Sequence, residues 1–308
     1  MRVTQSMPEV RTVVPARPGD VLAVLRGGAA PRPVVDLEWS RGLRELLVDA
    51  AGIAGGPAAA EPVVLADLGA GENVERAASA PRGHDGAGAS PSDGRAAADP
   101  LLGALVGTVF RLVVTGVPLR EPFLDALHGM AVAPHGARLV AAVRQLPEAA
   151  RRALAVAVAE QGRWLAQIWP PLDPRWAPTT GEALVMPLAG GRLVVTGRVD
   201  LGLGLPPRAT ASRCFVAVSA DRPAPLVWER LWVAAVVETI RSGEPPFQLV
   251  VVSTGQRTAS SMALDCDAVQ WAAARLSDRI EAVVRRGGGA ARPNASLAAG
   301  PPDVRVVA

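Results

Sequence analysis

Apolar positions recur along the chain in two rhythms. Leu43, Leu46, Leu47 and Ala50 fall three or four residues apart, the spacing that lines one face of a helix, and Ser40 stands where an N-cap would. Val63-Val64-Leu65 reads as a short strand. A strongly apolar helix is predicted over 100–114, with further helices over 121–131 and 137–144. A longer helix opens near Pro147, a favourable first-turn residue, and runs to about Trp169, where a proline-rich stretch stops it. Beyond it the rhythm changes to that of strands. Segments 183–188 and 193–203 are β-prone and joined by Ala189-Gly190-Gly191, a hairpin-like turn, and 213–219 is a third strand. A helix follows over 226–241, closed by Gly243 and then Pro245-Pro246. Residues 247–253 form a strand. The last helix, 267–286, repeats Val269, Ala272, Leu276, Ile280 and Val283 on one face and stops at three glycines.

From residue 146 the predicted order is therefore helix, three strands, helix, strand, helix. Mixed strands and helices make this an α/β protein. Residues 1–80 read as an N-terminal α/β extension, and 81–99, rich in Gly, Ser, Ala and Pro, as a flexible loop. The main domain is expected over 100–286, with a disordered tail at 287–308.

Composition removes several chemistries. The chain has no lysine and no tyrosine, so a phosphate-loop lysine, a Schiff-base lysine and a lysine general base are excluded. The sequence pI of about 9.9 suggests a basic protein, but the formal net charge is only +3. With no Lys or Tyr to titrate, little removes that small excess, so the pI is weak support for a nucleic-acid partner. Cys214 and Cys266 lack metal-site spacing and read as small buried residues. No signal-peptide core opens the chain, and the apolar run at 101–110 is too short to span a bilayer. The expectation is a soluble cytoplasmic protein with no membrane association.

One string carries a resemblance. Gly197-Arg198-Val199-Asp200-Leu201 follows the hairpin; a strand comes next, then a helix ending Glu238-Thr239-Ile240-Arg241-Ser242-Gly243. This arrangement resembles the RecB-like branch of the PD-(D/E)XK nuclease superfamily, and more narrowly actinobacterial proteins of that type. The similarity runs from about 101 to 286, with its specific part at 182–247. It implies a restriction-endonuclease-like core, a mixed central sheet flanked by helices. In that family one strand supplies an Asp, and the next an acidic residue and a lysine two positions apart on one face. The carboxylates hold Mg²⁺, which activates water and stabilises charge on the phosphate.

Carried over residue by residue, the resemblance puts Asp200 at the first acidic position. The second acidic position falls on Ala217 and the lysine position on Ser219. The histidine of an early helix is matched by Gly107, and a tyrosine of the later helix by a position near Ala234. The resemblance thus implies a nuclease relative that has lost catalysis, with DNA or a protein partner as what it retains. An active enzyme would need a migrated site, built from Asp200 with Asp221 or Glu182 and holding Mg²⁺ or Mn²⁺, with Glu229 as a further carboxylate. The bland alternative is that Asp200 bonds to backbone or pairs with an arginine such as Arg198 or Arg213, and that the chain is an interaction scaffold.

Other residues are weaker candidates. His84 and Asp85 read as solvated loop residues, and His128 and His135 as helix-end or surface histidines with no third ligand. Ser260-Ser261 lies in no nucleophile motif. Trp164, Trp169 and Trp176 could stack on bases, but beside an apolar helix they more often close a core. Arg275, Arg279, Arg285 and Arg286 are interleaved with Asp278 and Glu281, which reads as a solvated face with local pairs.

Overall fold

The computed structural model describes residues 9–27, 37–52, 63–65, 91–133, 136–204, 213–221 and 225–287. His84, Asp85, His135 and the tail after 287 lie outside them. In chain order the elements are β1 (Arg11–Val13), α1 (Pro18–Arg26), α2 (Leu37–Ala50), β2 (Val63–Leu65), α3 (Pro91–Val114), α4 (Pro122–Ala131), α5 (Gly136–Gln145) and α6 (Glu148–Ile168). Then come β3 (Thr179–Leu188), β4 (Leu193–Leu203), β5 (Cys214–Ser219), α7 (Pro225–Ser242), β6 (Gln248–Ser253), β7 (Thr258–Ala263) and α8 (Cys266–Gly287).

The strands make one mixed sheet in the order β1-β7-β6-β5-β4-β2, with β3 paired to β4. The β3–β4 hairpin and the β4–β5 and β6–β7 pairs are antiparallel, whereas β5 and β6 run parallel across the α7 crossover. Alternate residues of β5 and β6 face opposite layers. Phe215, Ala217, Leu249 and Val251 pack toward α2, α7 and α8, while Cys214, Val216, Val250 and Val252 pack toward α1, α3 and α6. The result is a three-layer α/β/α arrangement, so the α/β class is as the periodicity indicates, and the sheet is mixed and flanked by helices.

Four differences from the sequence reading have physical causes. The N-terminal segment is not an extension: β1 pairs with β7, β2 pairs with β4, and α2 packs on α8, so it completes the same sheet and core. α2 begins at Leu37, and Ser40 is a buried interior residue rather than a cap. α3 begins at Pro91, inside the stretch read as a loop; proline suits a first turn, and the alanines at 96–98 favour helix once it is started. β7 was not anticipated, because Thr258-Ala259-Ser260-Ser261 offers no apolar alternation. Its Ser260 is buried and exchanges a 2.9 Å hydrogen bond with the Thr12 hydroxyl on the edge strand β1, which gives this serine a structural task.

Two of the flagged tryptophans close the α3/α6 layer. Trp164 and Trp169 are buried, and Trp169 meets Phe110 edge-on at 4.7 Å. Trp176 is half-buried beneath Arg26. His128 is exposed on α4. Among the described residues no helix is long and apolar enough to cross a membrane.

Candidate functional site

The site follows from a break in the sheet. Val199 packs toward α7 and α8, but Leu201, two residues on, packs toward α3 and α6. Regular pleating would put both on one face. The β4–β5 ladder runs only from Leu203↔Cys214 to Leu201↔Val216 and then stops. Opposite the break on β3, Gly181 adopts φ of +64°, a left-handed backbone that glycine tolerates without penalty. Asp200 thus stands where β4 changes face and leaves β5.

The Asp200 carboxylate fills the gap it stands in. Its Oδ2 accepts the backbone N–H of Val218 at 2.8 Å, where the ladder would have continued. The same oxygen accepts from Nη2 of Arg230 at 2.7 Å. Arg230 comes from the second turn of α7, and its side chain is only 11% exposed against 19% for Asp200, so the pair is largely withdrawn from water. The partner of Asp200 is therefore Arg230, not Arg198 or Arg213. No sequence spacing announces a contact across thirty residues, between a strand and the helix after next strand.

A second arginine reaches this place from the opposite layer. Arg111, on α3, donates from Nη2 to the Thr108 hydroxyl at 2.9 Å, and that hydroxyl donates to the Ala104 carbonyl at 3.0 Å, which fixes the guanidinium on its helix. Burial pulls the Arg111 pKa down, Arg198 adds to the shift by repulsion, and Asp200 opposes it. Arginine remains a cation through such shifts. Arg198 is exposed on β4, and neither Arg111 nor Arg198 forms an ion pair among the described residues. Arg230 neutralises Asp200, so Arg111 and Arg198 add two guanidiniums with no ion-pair partner of their own among the described residues.

Gly107 lies one helical turn before Arg111, and a Cβ there would meet nothing within 4 Å. The remaining carried-over positions are apolar or small. Ala217 is fully buried in the α7/α8 layer and Ser219 ends β5. Ala234 is pressed onto β4, where a Cβ on Gly197 would lie 2.8 Å from its Cα.

Glu182 belongs to a separate network. It accepts from the Arg213 guanidinium and from the Thr179 hydroxyl, and Glu238 of α7 lies 3.7 Å from Nη1 of Arg213, a nitrogen that also donates to Glu182. The Arg213 hydrogen bonds, chiefly, hold the Glu182 carboxyl below the usual glutamate value, with burial working the other way. A carboxylate whose folded pKa is lowered contributes stability at and above its unfolded value, about 4.3, and loses it as pH falls through the folded value. Comparing Glu182→Gln with the parent chain by denaturant unfolding, we expect a constant deficit above about pH 5 that closes on further acidification. A deficit that widens in acid would contradict the assignment.

Asp221 lies past the end of β5 as an exposed bend residue, and its backbone carbonyl, rather than its side chain, accepts from the Ser253 hydroxyl. Glu229 accepts from Arg279 of α8. Among the described residues no three His, Cys, Asp or Glu side chains converge as a metal-holding group, so Asp200, Glu182 and Asp221 are not brought together. The donor set at Asp200 does not fit Mg²⁺ or Mn²⁺ either. A divalent ion takes several oxygen ligands, whereas here one oxygen of a single carboxylate already accepts from the Val218 N–H and, at 2.7 Å, from the Arg230 guanidinium. What the arrangement can do is hold an anion.

Comparison with protein-family models, curated proteins and solved structures finds no match.

Proposed function

We propose that this chain is a catalytically degenerate relative of the RecB-like PD-(D/E)XK nucleases that associates with DNA phosphates without cutting them. The observation that carries the reading is the occupancy of Asp200. The one acidic residue retained from the motif has its Oδ2 bonded to Val218 N–H and to Arg230, a built-in cation in place of an exchangeable one. Ala217, at the second acidic position, is fully buried and offers no ligand, and the chain has no lysine to assist a nucleophile.

Binding is supported by what the neutralisation leaves over. Arg111 is held in place by Thr108, and the exposed Arg198 is close enough to repel its charge; guanidinium forks match phosphate oxygens in pairs. Phosphate contacts position a protein on nucleic acid and make its affinity fall with salt. Fluorescence anisotropy on labelled single-stranded and duplex DNA tests this. Arg111→Gln is expected to weaken binding about tenfold at low salt and to lower the slope of log K against log salt by about 1, the loss of one phosphate contact. Unchanged affinity and slope in that variant, or no binding by the parent chain, would overturn the proposal.

A further inference from the structure

On the other helical layer, a groove of about 350 Å³ opens between α7, α8 and β7, a size typical of small-molecule sites. Three indoles wall it: Trp228 and Trp232, one turn apart on α7, and Trp271 on α8. Trp232 and Trp271 meet edge-to-face at 5.2 Å, a geometry that fixes both rings, and buried Met262 also lines the groove. Trp228 and Trp271 are only half-buried, so part of each indole faces the groove.

The charges at its edge have one sign in excess. Arg279 is bonded to Glu229, and both line the groove. Arg275 lies 5.2 Å over the Trp271 ring and has no carboxylate partner among the described residues. One uncompensated guanidinium, parked on an indole, borders a slot with planar aromatic walls. A flat ring satisfies the walls, and one negative charge balances the edge; a carboxylate carries that charge and fits the planar fork of an arginine. A cationic ring would meet the excess positive charge.

We infer that this groove is a binding site for a small aromatic carboxylate, held between the tryptophans with its carboxylate on Arg275. The site is independent of Asp200 and of the DNA reading, and each can fail alone. Calorimetric titration of the full chain with 2-naphthoate, 2-naphthylmethanol and 2-naphthylmethylammonium is the test. Naphthoate is expected to bind about tenfold more tightly than the neutral alcohol, the worth of one charge-assisted hydrogen bond, and the ammonium least. Arg275→Gln, at an exposed position that leaves the core intact, should erase the preference for naphthoate and spare the affinity for the alcohol. Trp228→Ala should weaken naphthoate and alcohol together. Absence of naphthoate binding, equal affinities for the three probes, or a preference that survives Arg275→Gln would overturn the assignment. So would a dimer, seen by sedimentation, that Trp228→Glu dissociates, since the groove would then belong to a second copy of the chain.

Discussion

Asp200→Ala is expected to destabilise the fold by about 3 kcal/mol, the lower end of what breaking a buried pair costs, because it strands Arg230 without a counter-charge. The loss has two parts. Arg230 already has a buried Nε with no hydrogen-bond partner, so Asp200 is what compensates its burial. The N–H of Val218 also loses its acceptor at a place where the ladder cannot replace it. Adding Arg230→Met to Asp200→Ala should recover about 1–2 kcal/mol, since an apolar side chain of similar reach removes the orphaned charge. A metal-site carboxylate behaves in the opposite way: taking it out relieves strain kept for function and leaves stability equal or higher. Denaturant unfolding of the two variants and the parent separates these outcomes, and a neutral or stabilising Asp200→Ala would contradict the ion-pair account.

The second large effect is at the contact of β4 with α7. A methyl group on Gly197 would come within 2.8 Å of the Ala234 Cα and 3.0 Å of its backbone nitrogen, so neither partner can turn a flexible side chain aside. Gly197→Ala is expected to cost about 3 kcal/mol, the upper part of the range for overpacking a core. Ala234→Tyr, which restores the side chain that the resemblance places near this position, should exceed that and abolish a cooperative thermal transition, because Ala234 is fully buried. A folded Ala234→Tyr variant with an unchanged midpoint would show that the helix does not rest on the strand as described. Helix and sheet approach too closely here for a large ring.

How much of this was legible beforehand depends on how local each feature is. α6 and α8 repeat apolar positions over four or more turns, α7 is an apolar run closed by Gly243 and two prolines, and the β3–β4 hairpin has glycines at the turn, so all four are readable from neighbours in sequence. β1 has three exposed residues and β7 a pair of serines, and they are strands because of their partners: β7 pairs with β6 along its whole length, and β1 then pairs with β7 at the sheet edge. The N-terminal segment joins the sheet through pairings more than a hundred residues apart, Val63↔Leu193 among them, which no local rhythm can announce.

The site divides along the same line. Asp200 was visible as the acidic residue of a β-strand string, and the absence of a carboxylate and a lysine at Ala217 and Ser219 is read from identity alone. Arg230 and Arg111 were not visible, since they reach Asp200 from opposite layers of the fold. For the groove a weak signal existed: Trp228 and Trp232 are four apart, hence on one face of a helix, whereas the tryptophans that the proline-rich stretch draws attention to serve the core.

The most direct test of the central claim is a paired binding and cleavage measurement on end-labelled single-stranded and duplex DNA, in Mg²⁺ and in Mn²⁺. The parent chain is expected to retard DNA and leave it intact in both metals, with weaker retardation by Arg111→Gln. Fragments produced by the parent chain and absent with Asp200→Ala, in a variant preparation shown to be folded, would contradict it.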